Sequence, residues 1–186
     1  MVINSIMKRI FTLLTFLFTV FLFSQELKYE EVVKVDSTAK KDELFYRART
    51  WAGQTFSEKN NLITTEDRET GEISGVAIYD YRTEKGYYGF ECAEGPVSYK
   101  FSIFVKDGRY KYLFYSFVHT GSGGPSCRQV NYGPLTLIEK APLKGSGIAD
   151  DRAWADVKEK TMSKIQSLVS GLKNSMNKKY ESSNEW

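Results

Sequence analysis

The feature that most constrains the fold is a pair of alternating segments joined by a two-residue turn. Large apolar side chains occupy every second position over residues 97–105, and a similar segment returns over residues 110–119. Asp107-Gly108 lies between them, and this dipeptide is typical of the tight turn of a β-hairpin. With Lys106 opposite Arg109, the pairs Val105–Tyr110, Ile103–Tyr112, Phe101–Phe114 and Val97–Val118 share one face. That face has to be covered, so the sequence predicts a layered antiparallel sheet.

The opposite face of the hairpin is the candidate binding surface. In the same register it carries Phe104, Leu113, Tyr115 and Phe117, each opposite a polar residue. Three interpretations stay open: the long loop or residues 135–138 fold over these side chains, a partner or a second copy covers them, or they are exposed without a role. Aromatic residues often anchor protein contacts, so the working hypothesis is that Tyr115 and Phe117 anchor a protein or peptide.

Patterns elsewhere predict further strands and two amphipathic helices. Runs rich in β-branched and aromatic residues predict strands over residues 27–36, 62–65 and 73–81. Ser37 is the predicted N-cap of a helix over residues 38–56, and apolar residues three or four apart predict a second helix over residues 152–179. Residues 120–149 are a long loop, in which residues 135–138 are predicted as a short edge strand. The sequence therefore predicts an α+β fold in the order β-α-β-β-β-β-α, with a frayed tail at 181–186.

The order of these elements and one turn motif resemble a known family. The motif is Val105-Lys106-Asp107-Gly108-Arg109-Tyr110, accompanied by Leu44-Phe45-Tyr46 and Trp51 in the first helix and by a lysine-rich last helix. Together they resemble a secreted Bacteroidetes family of unknown function with a TATA-binding-protein-like (TBP-like) fold. The resemblance implies a curved antiparallel sheet of about five strands with two long helices packed on one face. It brings no catalytic residues and no DNA binding, because a fold does not determine a function.

The first 24 residues are typical of an export signal. Lys8 and Arg9 precede an apolar run over residues 10–23, which is interrupted only by threonines and is followed by Ser24-Gln25. This run is shorter than the roughly 18 residues that span a bilayer. There is no cysteine near position 25, so a lipid anchor is not indicated. We therefore predict a signal peptide over residues 1–24, a single domain over residues 25–180 and a periplasmic or extracellular protein that is not a lipoprotein.

The charge of the chain argues against one class of partner. The full sequence has a formal net charge of +3, and without Lys8 and Arg9 a chain that starts at Gln25 carries +1. A charge this small does not attract nucleic acid by itself, so nucleic acid is not a predicted partner.

Few residues are available for catalysis or metal binding. The sequence has one histidine and two cysteines, whereas a zinc site needs three or four ligands, so no metal and no cofactor are predicted. Cys92 and Cys127 lie beyond the end of the hairpin opposite its turn, which favours a disulfide in an exported chain over two free thiols. We expect a non-enzymatic envelope module that binds a protein or peptide. The alternative is a small periplasmic hydrolase that uses His119 and Cys127, or Asp150 and Asp151.

Overall fold

The computed structural model describes residues 26–57, 61–85, 90–123, 128–142 and 151–178. Over these ranges, six strands form one antiparallel sheet and two helices pack against it. The strands are β1 (Tyr29–Lys34), β2 (Leu62–Asp67), β3 (Glu72–Tyr81), β4 (Gly95–Lys106), β5 (Arg109–His119) and β6 (Gly133–Pro134). The helices are α1 (Lys41–Thr55) and α2 (Asp151–Asn177), and a short 3-10 helix spans Phe90–Ala93. The predicted α+β fold and the predicted order of its elements are confirmed.

The hairpin of β4 and β5 lies at the centre of the sheet. The strand order is β1-β5-β4-β3-β2, and β6 pairs with the last residues of β5. Next to the turn, Lys106 pairs with Arg109 and Val105 pairs with Tyr110, which confirms the predicted register there. Gly108 has a φ of 69°, a left-handed conformation that glycine adopts without a steric penalty.

The two helices cover the face of the sheet that carries the long apolar rows. Buried side chains on this face of the three central strands include Ile73, Ala77, Val97, Tyr99, Phe101, Ile103, Tyr110 and Phe114. The helices contribute Leu44, Ala48 and Trp51 from α1 and Trp154, Val157, Ile165 and Leu172 from α2. Just after α1, the Phe56 ring stacks on Phe101 with centroids 4.1 Å apart. This burial of one face of each amphipathic helix is the main force that holds the helices on the sheet.

The first helix begins later than the predicted N-cap at Ser37. Its N-cap residue is Lys40, whose side chain makes no capping hydrogen bond. The preceding residues form a turn instead, in which the Thr38 N–H donates to Asp36 Oδ1 at 3.0 Å. The first-turn N–H of Lys41 donates to Asp107 Oδ1 at 2.7 Å, so the hairpin turn supplies the cap from across the molecule. The prediction was wrong at this point because the capping carboxylate is distant in the sequence.

A β-bulge in β5 changes the predicted register beyond the middle of the hairpin. Lys100 pairs with Tyr115, but Ser98 pairs with Val118, so Ser116 and Phe117 together lie opposite Tyr99. Ser116 has a φ of 53°, a conformation uncommon for a residue other than glycine. The extra residue turns every later side chain of β5 to the other face. The predicted pair of Val97 with Val118 was therefore wrong, since Val97 pairs with His119.

The long loop contributes a strand earlier than predicted. Its strand β6 is Gly133–Pro134, and Thr136 makes a single β-bridge with Glu26. The predicted edge strand over residues 135–138 is thus displaced by about two residues, because β5 ends beside Gly133. The end of the helix predicted to reach residue 179 and the tail predicted at 181–186 lie at or beyond the end of the described residues. Among the described helices, none is both long and apolar enough to cross a bilayer.

Candidate binding face of the sheet

The face of the sheet opposite the helices is the candidate functional surface, and we call it the open face. Its large side chains come from five strands: Val32, Leu62, Val76, Ile78, Phe104, Leu113, Tyr115 and Val118. Val32, Leu62, Phe104 and Val118 are exposed, and Leu113 and Tyr115 are half-buried. Three of the four side chains predicted for this face therefore lie on it: Phe104, Leu113 and Tyr115.

Phe117 does not lie on the open face. The bulge turns it toward the helices, where it is only 1% exposed. Its ring stacks on Tyr99 at a centroid distance of 5.6 Å and meets the Tyr29 ring edge-on at 6.1 Å. The neighbouring Val118 takes its place on the open face with 36% exposure. The prediction that placed Phe117 on this face was wrong, because the register was extended through the bulge.

The described part of the long loop packs on the helix side of the sheet. Leu135 is buried, and its N–H donates to the Phe117 carbonyl at 2.8 Å. Three residues later, the Ile138 carbonyl accepts from Trp154 Nε1 at 2.8 Å and from Lys158 Nζ at 2.6 Å, and both residues belong to α2. Residues 128–142 therefore leave Phe104, which is 36% exposed, uncovered.

Three cations lie side by side at the turn end of the open face, and we call them the basic row. Lys34 of β1 pairs with Arg109 of β5, and Arg109 pairs in turn with Lys106 of β4. All three side chains are exposed, and among the described residues none of them forms an ion pair. The neighbouring Asp107 is already used, because its carboxylate accepts the Lys41 N–H and lies 3.9 Å from Lys40 Nζ. Like charges directly opposite each other destabilise a sheet, so the basic row lowers the stability of the isolated chain.

The row of side chains next to the basic row contains both apolar and charged residues. The adjacent row across the sheet runs Val32, Lys111, Phe104 and Glu72. Lys111 is paired, because its ammonium group lies 3.0 Å from Glu30 Oε2 on β1. This pairing holds the pKa of the Glu30 carboxyl below its ordinary value through hydrogen bonds and charge from Lys111 and Lys28. The open face thus combines three cations that form no ion pair with any described residue and exposed apolar groups one row away.

His119, the candidate base of the hydrolase alternative, is a buried structural residue. Its Nε2 lies 2.6 Å from the Ala93 carbonyl oxygen, and its Nδ1 accepts the Tyr132 N–H at 3.3 Å. This arrangement fixes the neutral tautomer with the proton on Nε2. Burial lowers the pKa of His119 below its ordinary value, and the bond to Ala93 offsets this only in part. Since both ring nitrogens are engaged within the protein, His119 has no nitrogen left to activate a nucleophile.

The other residues of that alternative are placed only in part. Asp151 begins α2, and its Oδ1 accepts the Ala141 N–H at 2.7 Å. Cys127 and Asp150 lie outside the described residues. Within the ranges that the structure describes, no group of three or more His, Cys, Asp or Glu side chains could hold a metal ion.

Cys92 is fully buried in the 3-10 helix before β4. Its carbonyl oxygen accepts the Val130 N–H at 3.1 Å, so Val130, three residues after Cys127 in the sequence, lies close to Cys92. The pairing of Cys92 with Cys127 stays a prediction, because Cys127 is outside the described residues.

Sequence reasoning missed a buried carboxylate on α2. Asp156 accepts a hydrogen bond from the Tyr81 hydroxyl at 2.5 Å, and the Lys85 ammonium group lies 2.7 Å from its other oxygen. Burial alone would raise the pKa of Asp156, but Lys85 and Tyr81 outweigh it and hold the pKa below its ordinary value. The one sequence signal was an acidic residue between Trp154 and Val157 on the apolar side of the helix. This cluster ties α2 to β3 and leaves no carboxylate oxygen exposed.

The antiparallel sheet, covered by two helices on one face and open on the other, has the TBP-like fold, as its likeness to a solved TBP-like protein shows. Residues 29–120 match the model of the family described as a domain of unknown function, DUF4468, with TBP-like fold. This region, just under half of the chain, is therefore similar to the DUF4468 family. No curated protein sequence matches the chain.

Two solved structures have the same fold. One is a TBP-like protein from Parabacteroides distasonis ATCC 8503, with a TM-score of 0.64, 14% identity and coverage of 81% of this chain and 92% of that chain. The other is a DUF4468 family protein from Bacteroides ovatus ATCC 8483, with a TM-score of 0.62, 12% identity and coverage of 83% and 88%. Both come from Bacteroidetes, as the sequence resemblance implies. At these identities the likeness concerns the fold alone.

Proposed function

We propose that the protein is an exported, non-enzymatic binding module of the cell envelope, and that its open face binds an acidic segment of a partner protein. The observation that carries the proposal is the basic row of Lys34, Arg109 and Lys106 beside the exposed Val32 and Phe104. The uncleaved sequence supports export, because residues 1–24 have the pattern of a signal peptide.

The charge arrangement determines the sign of the partner. Three cations on adjacent strands repel one another, and their repulsion is relieved when carboxylates of a partner lie between them. Complementary charge also raises the rate of encounter and selects the correct partner. An acidic segment therefore gains free energy on this surface that a neutral or basic segment does not.

The neighbouring side chains favour a protein over a nucleic acid. Phe104 and Val32 offer apolar contact one row from the cations, and aromatic groups are frequent anchors of protein interfaces. Glu30 and Glu72 are interspersed on the same face and would repel a continuous phosphate backbone. The partner is thus a segment in which carboxylates are close to apolar side chains.

The proposal is tested by reversing the basic row. The variant Lys34→Glu, Lys106→Glu and Arg109→Glu is compared with a control that reverses Arg128, Lys140 and Lys178, three exposed cations away from the open face. The probes are a fluorescent eight-residue peptide that alternates Glu with Val and its counterpart with Gln in place of Glu. Fluorescence anisotropy should show that the wild type and the control bind the acidic peptide, with an affinity that falls as salt is added.

Loss of acidic-peptide binding in the row variant alone supports the proposal. Equal binding by the row variant and the wild type contradicts it, as does equal binding of the two peptides by the wild type. A photo-crosslinking amino acid at Val118 then tests the native partner in cells. A product of twice the chain's own mass would identify a second copy and refute the acidic partner. Mass spectrometry of the same material tests export separately, because the mature chain is expected to begin at Gln25.

A further inference from the structure

A cleft on the helix side of the sheet is independent of the open face. It has a volume of about 680 Å³ and lies between the end of α1, the end of β3 and the middle of α2. This volume is in the range of sites that bind small molecules. Phe56, Tyr79 and Tyr99 line it from α1 and the sheet, and Lys164, Ser167 and Leu168 line it from α2.

The sheet side of the cleft presents the hydroxyl group of Tyr99, which has no hydrogen-bond partner among the described residues. Tyr99 is only 3% exposed. Burial raises the pKa of Tyr99 far above its ordinary value, so the group stays protonated and can donate. The hydroxyl oxygen is not one of the fully buried polar atoms that lack a partner, so it is open to the cleft, where an acceptor atom of a ligand can take its hydrogen bond.

The hydroxyl group of the neighbouring Tyr79, by contrast, has a hydrogen-bond partner within the protein. Its oxygen lies 2.6 Å from Thr161 Oγ1, and Thr161 in turn donates to the Val157 carbonyl at 2.7 Å. Because the Thr161 proton is used, the Tyr79 hydroxyl donates to Thr161 and can only accept from a ligand. The Tyr79 and Tyr99 rings lie 6.5 Å apart, so Tyr99 is the donor of this pair that remains available.

The helix side of the cleft adds an apolar contact and two cations, of which one is paired. Leu168 belongs to the apolar stripe of α2, yet it is only half-buried, because the cleft opens beside it. One turn earlier, Lys164 is exposed and forms no ion pair among the described residues. Lys160, also in the wall, is paired with Glu84 at 2.7 Å. The lining also includes the hydroxyl groups of Ser163 and Ser167. Its charged side chains are three cations, Arg82, Lys160 and Lys164, and two carboxylates, Asp80 and Glu84, so the walls of the cleft carry a net charge of +1.

We infer that this cleft is a binding site for a small organic anion with an apolar body. The apolar part of the ligand lies against Phe56, Tyr79 and Leu168. An oxygen of the ligand accepts from the Tyr99 hydroxyl, and the negative charge lies toward Lys164. A ligand without charge loses the contribution of Lys164, and a ligand without an apolar body loses most of the contact area.

Two fluorescent probes of similar shape test the inference: anilinonaphthalene sulfonate, which is anionic, and phenylnaphthylamine, which is neutral. The variant Ser167→Trp fills the cleft from an exposed helix position, and Gln166→Trp is the matched control on the outer side of α2. The wild type and Gln166→Trp should bind the anionic probe more tightly than the neutral one. Ser167→Trp should bind neither, while far-ultraviolet circular dichroism shows unchanged helix content.

The charge and the hydroxyl are tested by two further variants. Lys164→Gln should weaken the anionic probe by about 2–5-fold and leave the neutral probe unchanged, as expected for one exposed cation. Tyr99→Phe should weaken the anionic probe by about 2–10-fold, as expected for one hydrogen bond. Undiminished binding by Ser167→Trp would place the probe elsewhere and overturn the inference. Equal weakening of both probes by Lys164→Gln would overturn the anionic class of ligand. Neither outcome bears on the open face, which lies on the other side of the sheet.

Discussion

Because of the β-bulge in β5, we expect alanine substitutions at two adjacent residues, Phe117 and Val118, to have very different effects on stability. Replacing Phe117 by alanine removes a ring that is 1% exposed and that contacts Tyr29 and Tyr99. Large-to-small changes of a buried phenylalanine cost about 3–5 kcal/mol, because apolar contact is lost and a cavity remains. Val118 is 36% exposed on the open face, so Val118→Ala should cost less than about 1 kcal/mol.

Urea unfolding, monitored by tyrosine and tryptophan fluorescence, measures both free energies in the same background. In a thermal scan, the Phe117→Ala variant should melt about 10 °C lower than the wild type, and Val118→Ala within about 3 °C of it, for a domain of this size. A regular strand without the bulge predicts the reverse order, with Phe117 exposed and Val118 buried. A larger loss for Val118→Ala than for Phe117→Ala would therefore refute the bulge, and with it the composition of the open face.

Three further predictions concern buried polar groups. Burial lowers the pKa of His119, so as the pH falls the imidazole is protonated in the unfolded chain before it is protonated in the folded one. The free energy of unfolding should therefore fall as the pH drops below about 6.5. His119→Gln should remove most of this pH dependence between about pH 7 and pH 5, and urea unfolding that shows the same pH dependence in the variant would contradict the prediction. Tyr81→Phe leaves one oxygen of buried Asp156 without a donor and should lower the free energy of unfolding by about 1–3 kcal/mol, which chemical denaturation measures; an unchanged midpoint would show that the hydrogen bond is dispensable. The pairing of Cys92 with Cys127 predicts that the denatured, unreduced protein has no titratable thiol, and reduction should then cost about 3–4 kcal/mol; two titratable thiols would rule it out.

The parts of the fold that were predicted correctly depend on local patterns. Alternation on both sides of Asp107-Gly108 determines the hairpin, and the spacing of apolar residues determines both helices. The predictions fail where the structure depends on a group that is distant in the sequence or on the backbone conformation of a single residue. Asp107 caps α1 across the molecule, so Ser37 was a misleading local signal. Ser116 adopts a positive φ although it is not a glycine, so the sequence contains no signal of the bulge, and Phe117 was assigned to the wrong face.

The candidate site was predicted only in part, and the reason lies in how the sheet is assembled. The hairpin register already places Lys106 opposite Arg109, so two of the three cations could be located from the sequence. The third, Lys34, joins them only because β1 pairs with the outer edge of β5, and no local pattern sets the register between strands so far apart in the chain. A row of like charges produced by two separate registers is unfavourable for folding, and under the proposed function this cost is offset when an acidic partner binds. The apolar residues alone therefore indicated an uncharged surface, whereas the assembled sheet places three cations beside them.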